Sequence, residues 1–107
     1  MTSPEAAEII NAAVAATFTV PLAELHAPTR RGATVALARQ SAMYLAHVAF
    51  GLNFTEVGRA FGRDRTTAAY ACRLIEDRRG EAGLDTALAE LEHALRRNLG
   101  ATPGAAS

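Results

Sequence analysis

The chain contains no lysine and no tryptophan, and Cys72 is its only cysteine. A single cysteine cannot staple the chain to itself, so its stability has to come from a packed core. Cys72 falls at an apolar position of a helical repeat, which predicts a small buried thiol rather than a reactive one. Aromatic residues make up only 6% of the chain, against 50% hydrophobic residues in all, and alanine is abundant. That balance favours closely packed helices over a sheet, where alanine fills space poorly. No apolar run approaches the roughly 20 residues that span a bilayer. The N-terminus has no basic segment leading into an apolar core, so no secretory signal is read and a cytosolic protein is expected.

Chemistry-bearing clusters are equally scarce. His26, His47 and His93 lie far apart, and with Cys72 they do not make the spacing of a zinc site. Ser3, Ser41 and Ser107 sit at a terminus, in a helix and in a tail, and none belongs to a nucleophilic triad that the sequence can argue. Without lysine there is also no G-x-x-x-x-G-K-[ST] phosphate loop. The reading is a non-enzyme, with no cofactor, no metal and no small-molecule substrate.

A chain of 107 residues with formal net charge zero makes one small domain with a modest core. Its charge is unevenly placed. Residues 1–29 carry Glu5, Glu8 and Glu24 and no arginine, whereas residues 30–80 carry nine arginines against Glu56, Asp64, Glu76 and Asp77. The middle segment is thus at +5 and the flanks are acidic. A local positive field steers a polyanion whatever the total, though a neutral total predicts weaker non-specific binding than a strongly basic domain would show. Using arginine alone also suits planar, bidentate contacts.

The most informative stretch is Asn53 to Asp77. Asn53 followed by Glu56 has the spacing of a capping box. Val57, Ala60 and Phe61 then fall on one helical face, and Gly62 marks a change of direction. Asp64 is placed to cap the next helix, whose repeat runs through Ala68, Ala71, Cys72 and Ile75. Two helices joined by a glycine turn predict a helix-turn-helix, with the second helix entering a DNA major groove by its N-terminal end. Arg63, Asp64, Arg65, Thr66 and Thr67 occupy that end. The competing view of Arg63, Asp64 and Arg65 is a surface ion-pair cluster of little energetic weight.

From the N-terminus, Ser3 is expected as an N-cap and Pro4 as the first helical residue. Helix one should run to about Thr17, with Ile9, Ile10, Ala13, Val14 and Ala16 on its apolar face. A short turn, Leu22 to Leu25, should anchor by both leucines, with His26 as a surface residue. Thr29-Arg30-Arg31-Gly32 reads as a basic loop, and Thr34 as the cap of a helix from Val35 to Phe50. Ala38, Ala42 and Leu45 lie on the inner face of that helix, Met43 and Tyr44 pack at core and rim, and Gly51 is its left-handed cap. A last amphipathic helix, Asp85 to Leu99, carries Leu88, Leu91 and Leu95, with His93 on its exposed side. Residues 100–107 form a frayed tail.

Two motifs carry a family resemblance. Arg39-Gln40-Ser41-Ala42-Met43-Tyr44-Leu45-Ala46 resembles the ARQ-x-AMYL segment of the bacterial replication initiator DnaA. Phe61-Gly62-Arg63-Asp64-Arg65-Thr66-Thr67 resembles its FGGRDHTT signature with one glycine fewer. The likeness extends from Ile9 to about Leu95. It implies an all-α fold like the initiator's C-terminal domain IV, Trp-repressor-like, with residues 1–99 as the DNA-binding domain of a free-standing, nucleoid-associated protein.

By that resemblance Arg31, beside Arg30, enters an A·T-rich minor groove. Arg39 and Gln40 grip the DNA backbone, Asp64 accepts from a cytosine amino group, Thr66 contacts a base and Thr67 a phosphate. Thr34, His47, Thr55, Arg63 and Arg65 complete the expected contact set. Two positions depart from the family. Arg65 replaces its histidine, open to a phosphate or to guanine, and His47 stands where lysine or arginine is usual, so one constant positive charge is lost or made pH-dependent.

The function expected is duplex binding at DnaA-box-like sites, regulating replication initiation or nearby transcription without ATPase activity. The alternative is an adaptor that binds the full-length initiator or its regulators through helix one or the last helix.

Overall fold

The computed structural model describes residues 2–26 and 32–100. Arg30, Arg31 and the tail from residue 101 lie outside them. The described residues form six helices, α1 (Ser3–Phe18), α2 (Leu22–His26), α3 (Ala33–Val48), α4 (Phe54–Phe61), α5 (Arg65–Arg78) and α6 (Leu84–Gly100), and no strand.

The organising element is α3, against which all five other helices pack. Its inner face explains why. Ala38, Ala42, Leu45 and Ala46 are fully buried, and three of these four side chains are single methyl groups. Small side chains let neighbouring helices come close, so α1 and α5 can lie on α3 while Ile10, Val14, Ala68 and Ile75 fill the space between. Val57 of α4 and Leu88 and Leu95 of α6 close the same core. Met43 and Tyr44 are buried there too, as their spacing predicts.

Several local expectations are corrected. The N-cap of α1 is Thr2, whose hydroxyl accepts from the Glu5 N–H at 3.2 Å; a cap reaches the amide three residues on, so Ser3 already lies inside the helix. Ala15 rather than Ala16 joins the buried face. Helix α1 ends with Thr19 in the left-handed region at φ 55°. There the amides of Thr19 and Val20 both return to the Ala15 carbonyl, which satisfies the helix end at the cost of a strained non-glycine residue. In α2 only Leu25 is buried, and Leu22 remains 45% exposed.

Thr34 does not cap α3. The helix starts at Ala33 with Gly32 as its cap residue and no side-chain bond. Gly51 is left-handed as expected, at φ 71°, but α3 has already ended at Val48 with Ala49 as its cap. The glycine instead turns the chain so that the Leu52 N–H reaches the Ala46 carbonyl at 3.2 Å.

Ile10 and Val14 of α1 are fully buried and Ile9 packs against the same core. The apolar face that motivated an adaptor role is therefore consumed inside the fold. At the opposite end, Arg79 joins three helices: its guanidinium donates to the Tyr44 hydroxyl and to Asp85, both at 2.8 Å, and lies 3.7 Å from Glu92.

Cys72 is buried in α5, and burial, with a smaller contribution from Glu76, pushes its thiol up to about 11. The native protein should therefore react with a disulfide reagent at pH 8 only as fast as it opens, and urea should release a rapid phase. A fast reaction without denaturant would contradict this burial.

Candidate nucleic-acid interface

Helix α4 opens with the capping box predicted from Asn53 and Glu56. The Glu56 N–H donates to Asn53 Oδ1 at 2.8 Å, and the Asn53 N–H to Glu56 Oε1 at 2.9 Å. It closes on Gly62, left-handed at φ 68°. The amides of Gly62 and Arg63 both donate to the Gly58 carbonyl, the latter at 2.8 Å. Gly58 has a second role. A Cβ there would stand 2.6 Å from the Arg63 carbonyl oxygen and 3.0 Å from the Asp64 carbonyl carbon, so the turn can lie against α4 only because that position has no side chain.

Asp64 then caps α5, its Oδ1 accepting from the Thr67 N–H at 2.7 Å. That backbone bond, the Thr67 hydroxyl and a weaker contribution from the Thr66 amide hold its carboxyl below the usual carboxylate range. The sign follows: the cap is fully formed above the ordinary aspartate pKa and is lost as pH falls through the lowered native value. Near neutrality Asp64 is an ionised, acceptor-only group at an exposed helix tip. Arg63, Arg65, Thr66 and Thr67 are exposed around it.

The ion-pair view of this cluster finds no support. Neither Arg63 nor Arg65 makes an ion pair or a side-chain hydrogen bond among the described residues, whose ion pairs lie at Arg78, Arg79 and Arg96. Among the described residues, the Arg63 and Arg65 guanidinium groups at the tip are thus in no ion pair.

A groove runs between α3 and α5, lined by Ala36, Arg39, Gln40, Arg63, Thr67 and Tyr70 among others. Four of the residues expected as contacts therefore converge on one concave surface. Arg39 is half-buried, and its Nη2 donates to the Glu24 carbonyl. That bond ties α2 to α3 and fixes the guanidinium beside the groove. Ala36, one turn into α3, lines the same groove.

His47 and Thr55 do not line that groove. His47 lies at the far end of α3, its ring stacked on Phe54 with centroids 4.6 Å apart. His47 Nδ1 is 2.8 Å from the Leu52 carbonyl. A carbonyl only accepts, so Nδ1 carries the proton and Nε2 is the nitrogen left over. Thr55 is exposed at the start of α4, and Thr34 is exposed at the start of α3.

Sequence reading passed over Tyr70, which is 60% exposed although large and aromatic. It follows Thr66 by four residues and Thr67 by three, the spacing of neighbours on one helical face. That spacing was the available signal.

The fold and the tip define a small all-α helix-turn-helix protein. Comparison with known proteins takes this one step further: the family described as "Bacterial dnaA protein helix-turn-helix" matches residues 7–75, and the chain belongs to it. The chain is 40% identical over 91 residues, 83% of its length, to the chromosomal replication initiator protein DnaA of Bordetella pertussis. It is 41% identical over 93 residues, 86% of its length, to the corresponding protein of Rhodopseudomonas palustris (strain BisB18). Over 71 residues, 66% of its length, it is 41% identical to DnaA 2 of Chlamydia muridarum. These matches span 15% to 19% of the relatives' own length.

Proposed function

We propose that residues 1–99 bind duplex DNA at DnaA-box-like sites and so regulate replication initiation, or transcription near such sites, in the nucleoid. The first turn of α5 enters the major groove, where Asp64 accepts from a cytosine amino group and Thr66 packs on a neighbouring base. Arg39, Gln40 and Thr67 hold phosphates beside it, with Arg63 at the edge and His47, Thr34 and Thr55 as outlying backbone contacts. Arg30 and Arg31 reach the adjacent minor groove. Binding needs no nucleotide, and these residues carry no ATPase activity.

One observation carries the reading: an exposed, ionised helix tip, unpaired with the arginines around it, opens beside a groove where α3, α5 and the turn before α5 bring Arg39, Gln40, Arg63 and Thr67 together. An adaptor role has weaker footing, because Ile10 and Val14 are spent on the domain's own core.

A fluorescence-anisotropy titration with box and scrambled duplexes tests it, and equal affinity for the two removes the specific reading. Asp64→Ala should bring the ratio of affinities towards one. Arg39→Ala should weaken all duplexes alike and reduce the slope of log affinity against log salt by about one. An unchanged ratio in Asp64→Ala would remove that residue from base reading.

A further inference from the structure

We infer that Arg65 is a base-reading residue that selects guanine, so that the preferred site of this protein contains two adjacent G·C pairs under the tip of α5. The inference rests on the proposed docking of that tip in the major groove. Arg65 is the first residue of α5 and directly follows the capping aspartate. It is exposed, and among the described residues its guanidinium has no carboxylate, carbonyl or hydroxyl partner.

Its neighbours decide between a base and a phosphate. The groove between α3 and α5 is lined by Arg39, Gln40, Arg63 and Thr67, and Arg65 is not among its lining residues. The side chains suited to a phosphate thus gather on one flank of the helix tip, and Arg65 is not with them. It sits between Asp64 and Thr66, the two residues proposed to meet base edges. An arginine in that place presents a planar fork of donors, and in the major groove only guanine offers two acceptors, O6 and N7, on one edge to match it. Asp64 repels the full charge of a phosphate that would approach Arg65 from its own side more strongly than the partial charges of a neutral base edge.

Adjacent pairs follow from reach. Asp64 is short and already bonded to the Thr67 amide through one oxygen, so it meets the base nearest the helix end. The Arg65 side chain is several bonds longer and leaves the helix about 100° further round. Its fork therefore falls on the neighbouring pair.

Selection from a randomised duplex pool tests this, with the whole chain and the variants Arg65→Lys and Arg65→His compared. The wild-type chain should enrich a motif holding two adjacent G·C pairs. In Arg65→Lys, which keeps the charge but loses the fork, preference for guanine at one of those pairs should fall about tenfold while the rest of the motif stays. Arg65→His should lose it as well. If both variants keep guanine, or if they weaken every duplex equally as a phosphate contact would, Arg65 does not read a base. A wild-type pool with no enriched motif would overturn the sequence-specific reading itself, and this inference with it.

Discussion

Gly58→Ala is expected to lower the thermal midpoint and to reduce specific DNA affinity at least tenfold, although the residue touches neither solvent nor the proposed ligand. Helix propensity alone predicts the reverse, since alanine is favoured over glycine by about 1 kcal/mol inside a helix. The surroundings overrule it. The added methyl would lie 2.6 Å from the Arg63 carbonyl oxygen and 3.0 Å from the carbonyl atoms of Asp64. These are backbone atoms, so no side chain can swing aside and the turn itself must move. Overpacking of this kind costs about 1–3 kcal/mol, enough to outweigh the gain in propensity. The moving part is also the segment that delivers Asp64, Arg65 and Thr66, so the loss extends to recognition. Gly80→Ala is the control, because a Cβ at Gly80 meets nothing within 4 Å; it should leave midpoint and affinity unchanged. Calorimetry and anisotropy on the two variants decide the matter. A Gly58→Ala protein as stable and as specific as the parent would mean that α4 and the turn are not held in contact.

How much of this was legible beforehand depends on the range of each interaction. Capping is local, and the chemistry of a cap is written in residues three apart; the Asn53–Glu56 box and the Asp64 cap were therefore readable from spacing alone. The helical period likewise placed Val57, Ala68 and Ile75 in the core, where they are fully buried. Misreadings arose where two neighbouring residues shared a chemistry. Thr2 and Ser3 can both cap, and only the distance to the Glu5 amide chooses between them. The role of Gly58 was invisible for a different reason. Nothing in the run Val57-Gly58-Arg59 reports that a carbonyl five residues on folds back upon it. Arg79 is similar: its partners Tyr44 and Glu92 lie on α3 and α6, and no periodicity links positions so far apart. At the interface, the tip was legible as a motif, but its separation from Arg78, Arg79 and Arg96, which pair with Glu81, Asp85 and Glu92, emerged only from packing.

Leu88→Ala should produce the largest loss of stability and, unlike Gly58→Ala, little change in base preference. Leu88 is fully buried on α6 with Leu95, and Leu84 and Leu91 border the same face. Together these side chains press α6 onto α1 and α3, although the matched family region stops at residue 75. Removing a buried leucine side chain and leaving a cavity costs about 2–5 kcal/mol, a large share of the roughly 5–15 kcal/mol that holds a domain of this size together. The midpoint of thermal unfolding should fall by on the order of 10 °C or more. The polar clasp at Arg79 cannot compensate. Its contacts with Asp85 and Glu92 are partly open to water, where ion pairs contribute little. Because Leu88 lies on a different helix from the tip, the folded fraction should still discriminate between box and scrambled duplexes by the parent ratio. Measuring that ratio well below the new midpoint separates a stability effect from a recognition effect. If Leu88→Ala unfolds at the parent temperature, α6 is not part of the core; if it stays folded but loses discrimination, recognition depends on α6 in a way that the tip alone does not explain.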